Sequence, residues 1–129
     1  MEINIPGVLA ELTVAFRGYE SALSSNKPER LNGYFWKSPL AVRYGVAENL
    51  YGHDEIAAYR LRRAQVGGAP DRKVIREVIT SYGRDFGTTC IDYVRSESGL
   101  AGRQSQTWAR MPEGWRIVAA HVSLLQGAD

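Results

Sequence analysis

The sequence predicts an α+β fold, with helices in the first half of the chain and an antiparallel sheet in the second half. In residues 6–23, apolar side chains recur at helical spacing, and two further helical segments follow. Residues 72–125 instead form four runs rich in β-branched and aromatic residues, separated by turn segments. Helices followed by consecutive strands are typical of α+β proteins. With 129 residues, 44% of them hydrophobic, we expect one domain with a single core over residues 1–129.

Three helices are predicted. The first begins at Pro6, which suits the first turn of a helix, and ends at the segment "SSNKP". The second is shorter and covers residues 28–36. The third covers residues 51–65, where Asp54 and Glu55 interact favourably with the positive end of the helix dipole.

Five strands are predicted as well. One lies around Arg43, between the second and third helices. The other four follow one another across short turns, which favours antiparallel pairing. They cover residues 72–83, 85–96, 103–111 and 114–125.

The composition excludes several classes of function. The chain carries 16 basic and 14 acidic residues and no basic stripe interleaved with aromatic residues, so we expect no nucleic-acid partner. The basic run "YRLRRAQ" (59–65) is interpreted as a solvated helix surface. Because the sequence shows neither a signal-peptide pattern nor an apolar run of transmembrane length, we expect a cytoplasmic protein without a membrane partner.

The residues that usually bind metals are few. Cys90 is the single cysteine, which excludes a disulfide within the chain and a thiolate metal site. His53 and His121 do not have the spacing of a zinc motif. We therefore predict no metal site and no cofactor.

An arginine lies in the middle of the first predicted strand, within "SPLAVRYGVAEN" (38–49). Strand alternation places Ala41, Arg43 and Gly45 on one face. The small neighbours would let a ligand lie against the sheet beside the guanidinium, whose planar fork matches a carboxylate. Alternatively, Arg43 faces water at an edge or forms an ion pair. The candidate ion-pair partners are Glu20, Glu48 and Asp85.

Two further residues are candidates for the wall of a ligand pocket. Tyr19 lies in the apolar stripe of the first helix, where a tyrosine belongs either to the core or to a pocket. In the last strand, alternation gives one face that grades from apolar to polar, which fits a pocket with an apolar floor and a polar wall. That face comprises Trp115, Ile117, Ala119, His121 and Ser123. His121 is thus either a ligand-binding residue or a structural histidine.

Three segments resemble one bacterial family: "LAVRYGVAENLYG" (40–52), "YGRDFGTT" (82–89) and "GRQSQTWARMPEGWRIVAAHVSLL" (102–125). They are similar to the family that includes an oxalurate-catabolism protein and the decarboxylating amidohydrolase of cyanuric acid breakdown. The layout looks like the SnoaL-like, nuclear-transport-factor-two-like fold, which ketosteroid isomerases share. The resemblance implies a cone-shaped, curved antiparallel sheet with three helices on its concave face.

The resemblance also implies an activity, the conversion of dicarboxyurea to allophanate without a metal. The family's catalytic tyrosine and arginine match Tyr19 in "RGYESAL" and Arg43 in "AVRYG". Arg43 would bind one substrate carboxylate, and Tyr19 would donate a proton to the nitrogen that loses carbon dioxide. A second basic residue is needed for the other carboxylate. The candidates are Arg103, Arg84 and His121.

Two other functions are compatible with the sequence. A proton-transfer isomerase, cyclase or dehydratase would place Asp85 or Asp92 beside Tyr19 and an apolar cavity. A non-catalytic accessory protein of oxalurate catabolism would bind a ligand without converting it. For each function we expect a homodimer, because alternation leaves an apolar face of the last strand for a partner sheet to cover. That face comprises Val118, Ala120, Val122 and Leu124.

Overall fold

A computed structural model of the protein describes residues 1–126 and contains three α-helices in that range. Helix α1 covers Pro6–Ser24, α2 covers Pro28–Asn32 and α3 covers His53–Gln65. Pro6 and Pro28 occupy the first turns of their helices, where a missing N–H group breaks no hydrogen bond. Asp54 and Glu55 occupy the first turn of α3, as predicted. No helix of this part of the chain is both long and apolar enough to cross a membrane.

Six strands form one sheet in the same range. They are β1 (Val42–Tyr44), β2 (Asn49–Tyr51), β3 (Arg72–Tyr82), β4 (Phe86–Arg95), β5 (Ala101–Met111) and β6 (Gly114–Leu124). Their order across the sheet is β2-β1-β6-β5-β4-β3, and all neighbours are antiparallel except β1 and β6. The predicted α+β class, with a curved, mainly antiparallel sheet and three helices on its concave face, is confirmed.

The core lies between α1 and the concave face of the sheet. The apolar stripe of α1 is buried over its whole length, from Val8 through Leu12 and Phe16 to Ala22. The sheet contributes large side chains such as Trp108, which is fully buried. Burial of this stripe removes apolar surface from water and fixes the helix against the sheet. Each Å² of apolar surface buried stabilises the fold by about 25 cal/mol.

The first predicted strand is in fact a hairpin of two short strands. The chain leaves β1 after Tyr44 and returns in β2 from Asn49, and the Gly45 N–H group donates a hydrogen bond to the Glu48 carbonyl oxygen at 2.8 Å. Arg43 pairs in register with Ala120 of β6. This parallel pairing brings Arg43 next to a strand from the far end of the sequence.

A β-bulge in β6 changes which residues face the core. The register shifts so that Trp108 of β5 pairs with Ile117, whereas Thr107 pairs with Ala119, and Val118 is the extra residue. A single extra residue moves every later side chain to the opposite face of the sheet. The predicted face of Trp115, Ile117, Ala119, His121 and Ser123 is therefore wrong: its first two members are buried, and its last three lie on the convex face.

The same bulge removes the reason given for a homodimer. Ala120 is buried in the core, and Val122 lines a cavity on the concave side. These two residues therefore do not form the exposed apolar face that the alternation predicted.

Candidate functional site

A cavity of about 400 Å³ opens between α1, α3, the β1–β2 hairpin and the concave face of the sheet. Five arginines line it, and one carboxylate does so in the described part of the chain. The arginines are Arg43, Arg60, Arg63, Arg72 and Arg95, and the carboxylate is Glu48. Tyrosines from three elements complete much of the wall: Tyr19, Tyr59 and Tyr93. Such a lining favours a small anionic ligand.

Arg43 is buried, at 6% exposure, and holds a carboxylate of the protein itself. Its Nη1 atom donates a hydrogen bond to Glu48 Oε1 at 2.9 Å, and its guanidinium lies 5.0 Å from the centre of the Tyr59 ring. A Cβ atom at position 45 would overlap the Glu48 carboxylate. Gly45 thus makes room for Glu48, which corrects the interpretation that this space is left for a ligand.

Tyr19 faces the same cavity from α1. Its ring packs against Tyr34 and Phe35, with centroid distances of 6.2 and 6.3 Å, so its position is fixed by the core. Its hydroxyl oxygen accepts a long hydrogen bond of 3.4 Å from Arg60 Nη2. Because the oxygen is the acceptor here, the hydroxyl hydrogen is available for donation into the cavity. The structure therefore brings Tyr19 and Arg43 together in one site.

Arg60 is a site residue that the sequence analysis missed. The run "YRLRRAQ" is interpreted from sequence as solvated surface, yet Arg60 is 5% exposed and its guanidinium lies 5.5 Å from the centre of the Tyr59 ring. Burial lowers the pKa of the Arg60 guanidinium, and the positive charge of Arg43 lowers it further. One signal could have revealed it: Arg60 follows Ile56, a fully buried residue, by one helical turn.

Arg72, at the start of β3, also lines the cavity, and its positive charge is neutralised by Glu20. Its Nη2 atom donates to both carboxylate oxygens of Glu20, at 2.9 and 2.7 Å, and its Nη1 atom donates to Gln104 Oε1 at 3.3 Å. The guanidinium also stacks on Tyr93, 4.7 Å from the ring centre. These contacts make Arg72 a rigid part of the wall rather than a free anion-binding group.

The three residues predicted to bind the second carboxylate do not line this cavity. His121 is exposed on the convex face, where its ring lies 5.6 Å from that of Tyr44. Arg103 is exposed opposite Asp92, on the same face. Arg84 lies in the β3–β4 turn, and its carbonyl oxygen accepts hydrogen bonds from Arg110. The structure thus separates all three from Tyr19 and Arg43.

The carboxylates proposed for proton-transfer chemistry lie elsewhere as well. Asp85 is exposed next to Arg110, with 3.2 Å between its Oδ1 atom and Arg110 Nε, and Asp92 is exposed on the convex face. In residues 1–126, no three His, Cys, Asp or Glu side chains cluster closely enough to hold a metal ion, so we assign no metal ligand.

A curved six-stranded sheet with three helices around such a cavity defines a protein of the nuclear-transport-factor-two-like (NTF2-like) class. Within that class, the AtzH-like family model matches residues 1–128, and the chain belongs to this family. No curated protein matches the sequence.

Solved structures agree with this assignment. A protein of unknown function from Pectobacterium atrosepticum is 49% identical, with a TM-score of 0.90 and coverage of 96% of this chain and 95% of the other. A cystatin-like fold protein from Burkholderia xenovorans is 44% identical, with a TM-score of 0.91 and 99% coverage of both chains. An NTF2-like superfamily protein from Salmonella enterica is 25% identical, with a TM-score of 0.77 and coverage of 95% and 94%.

Proposed function

We propose that the protein is a decarboxylating amidohydrolase that converts dicarboxyurea to allophanate. The observation that carries this proposal is that Tyr19 and Arg43 line the same cavity, together with an excess of arginines. Membership of the AtzH-like family, named after a protein of the cyanuric acid pathway, supports the same substrate. The NTF2-like fold also covers isomerases and dehydratases, so the fold alone does not select the reaction.

Arg43 binds one carboxylate of the substrate in this proposal. Its guanidinium already holds the Glu48 carboxylate at 2.9 Å, which supports its suitability for this class of ligand. The substrate carboxylate either replaces Glu48 or uses the remaining guanidinium nitrogens. A charge-assisted hydrogen bond of this kind contributes about 1.5–3 kcal/mol.

Tyr19 acts as the general acid. The bond between the terminal nitrogen and its carboxylate carbon breaks, carbon dioxide leaves, and the electron pair stays on the nitrogen. The Tyr19 hydroxyl gives its proton to that nitrogen, which yields allophanate, and solvent later returns a proton to the phenolate. Arg60, 3.4 Å from the hydroxyl oxygen, stabilises the negative charge that forms there. General acid catalysis contributes about a hundred- to ten-thousand-fold in rate.

The test is to incubate the purified protein with fresh dicarboxyurea and to follow carbon dioxide and allophanate. We expect Tyr19→Phe to lower kcat at least about tenfold with little change in KM, since the proton donor is lost and the binding groups remain. Tyr34→Phe is the matched control, because Tyr34 packs against Tyr19 but does not line the cavity. Absence of turnover by the wild-type protein would refute the reaction, and full turnover by Tyr19→Phe would refute the role of Tyr19.

Glu48 supports a second candidate, a proton-transfer isomerase, cyclase or dehydratase. It is the carboxylate that lines the cavity within residues 1–126, and such reactions need a carboxylate base. Its ion pair with Arg43 argues against this role, because the guanidinium occupies one carboxylate oxygen, Oε1, at 2.9 Å. A third candidate, an accessory protein of oxalurate catabolism, predicts ligand binding without turnover.

A further inference from the structure

Arg60 is the deeply buried cation of the cavity that has no acidic partner among the described residues. Arg43 is paired with Glu48 and Arg72 with Glu20, whereas no carboxylate of residues 1–126 forms an ion pair with Arg60. In this range its Nη2 atom contacts the Tyr19 hydroxyl oxygen at 3.4 Å, and its Nε atom is buried without a hydrogen-bond partner. The other two cavity arginines, Arg63 and Arg95, are only half-buried and reach water.

A buried charge without a counter-ion is unfavourable, because the low-dielectric interior does not replace the water that was lost. The positive charge of Arg43 repels that of Arg60. The Arg43 and Arg60 guanidinium groups lie 5.0 and 5.5 Å from the centre of the same Tyr59 ring. An anion that enters the cavity next to Arg60 relieves both effects. An arrangement that is unfavourable in the free protein and is relieved by a ligand is characteristic of a binding site.

We propose that Arg60 binds the second carboxylate of the substrate, so that Arg43 and Arg60 together select short dicarboxylates. This inference rests on the proposed function for the nature of the natural substrate. The preferred ligand carries two carboxylates separated by about three atoms, because both guanidinium groups line one cavity and lie 5.0 and 5.5 Å from the centre of the Tyr59 ring. A monocarboxylate contacts only one of the two guanidinium groups and therefore binds less tightly than a dicarboxylate. The carboxylate at Arg60 lies beside the Tyr19 hydroxyl, because Arg60 contacts that hydroxyl directly.

The experiment measures binding rather than turnover. Glutarate has the same three-atom spacing between its carboxylates as dicarboxyurea and does not react, and butyrate is its monoanionic counterpart. Calorimetric titration and thermal melting are carried out with both ligands on the wild-type protein and on Arg60→Met. Arg62→Met is the matched control, since it removes one positive charge from the exposed face of the same helix.

We expect the wild-type protein to bind glutarate at least about tenfold more tightly than butyrate, as one extra charge-assisted hydrogen bond implies. Arg60→Met should lose this preference, whereas Arg62→Met should keep it. The unliganded Arg60→Met protein should melt at the same temperature as the wild type or higher, because a buried unpaired charge has been replaced by an apolar side chain. A purely structural role for Arg60 predicts the opposite, a lower melting temperature.

Three outcomes overturn the inference: no preference for glutarate in the wild type, an unchanged preference in Arg60→Met, or a lower melting temperature of unliganded Arg60→Met. The failure of the proposed function is a separate result. If dicarboxyurea is not turned over but the preference for glutarate depends on Arg60, the reaction is wrong and the dicarboxylate site stands. If dicarboxyurea is turned over but the preference for glutarate does not depend on Arg60, the reaction stands and the role of Arg60 is wrong.

Discussion

Replacement of Glu48 distinguishes the two candidate reactions, because Glu48 holds the Arg43 guanidinium that we propose binds the substrate. Glu48→Gln removes the charge that pairs with Arg43 at 2.9 Å while it preserves the size of the side chain. We expect KM for dicarboxyurea to fall about threefold or more, since one competing carboxylate is gone, with kcat within about twofold of the wild-type value. Steady-state kinetics provide the measurement. A loss of kcat of about a hundredfold would instead assign Glu48 the role of a general base.

We expect lysine at position 43 to restore the activity only in part. Arg43→Ala is expected to raise KM at least about tenfold and to lower kcat, because the carboxylate is held in both the ground state and the transition state. Arg43→Lys keeps the charge but loses the planar fork, so its kcat/KM should lie between those of Arg43→Ala and the wild type. Neither variant should unfold, since Glu48 is partly exposed and can be hydrated when its partner is lost. A variant that unfolds while the folded fraction retains normal affinity would make Arg43 a structural residue.

The site could be predicted in part from single residues. Tyr19 and Arg43 stood out because a polar group interrupted an apolar stripe or a strand, and both line the cavity. Arg60 did not stand out, because a run of three arginines on a helix usually faces water, and only the packing of α3 decides which of them is buried. Local sequence cannot show that packing.

At the scale of elements, the ion pair between α1 and β3 gives the stability a pH dependence. Arg17 donates hydrogen bonds from both terminal nitrogens to the two Glu77 oxygens, each at 2.6 Å. The hydrogen bond from Arg17 lowers the pKa of Glu77 below its ordinary value of 4.5. A lowered folded-state pKa means that this stabilisation is present above the unfolded-state pKa and is lost as the pH falls through the folded-state pKa.

Glu77→Gln tests this link. At pH 7 we expect the variant to lose less than about 1 kcal/mol in the free energy of unfolding, because Arg17 is more than half exposed and solvent screens the pair. The difference from the wild type should disappear as the pH is lowered past the Glu77 titration. Urea unfolding at several pH values measures it. A difference that persists unchanged at low pH would show that Glu77 acts through packing rather than charge.

The positions of the elements were predicted well, and their pairing less so. Hydrophobic period and turn residues identified all three helices and the four long strands to within a few residues. The bulge at Val118 could not be predicted, because an extra residue in a strand leaves no mark in composition. Simple alternation without the bulge therefore assigned His121 to the wrong face of the sheet. The parallel pairing of β1 with β6 joins distant parts of the chain, which periodicity does not reveal.

At the scale of the whole molecule, we propose that the protein forms a homodimer through the convex face of the sheet. Val78 of β3 is 48% exposed there, and the Tyr44, Tyr51 and His121 rings form an aromatic cluster on β1, β2 and β6. Apolar and aromatic side chains in such positions are commonly covered by a symmetric copy.

Light scattering of the wild-type protein at micromolar concentration should give twice the mass of the chain. Val78→Arg should shift the equilibrium toward the monomer, because two charges would meet across the two-fold axis or be buried against apolar groups. Val14→Arg is a suitable control, since Val14 on α1 is an apolar residue that is even more exposed, at 72%. A wild-type monomer under these conditions would contradict the proposal.

The excess of arginines in the cavity also acts beyond contact distance. Arg43 and Arg72 are paired with Glu48 and Glu20, and the guanidinium groups of Arg60, Arg63 and Arg95 add positive potential that extends into solvent through the open side of the cavity. At physiological ionic strength this potential reaches about 8 Å, and it reaches further in dilute buffer. Anions are therefore drawn toward the entrance before they touch a side chain, so their encounter rate rises as salt is removed. The same potential attracts phosphate and sulfate, so we expect these common buffer ions to compete with the proposed dicarboxylate substrate.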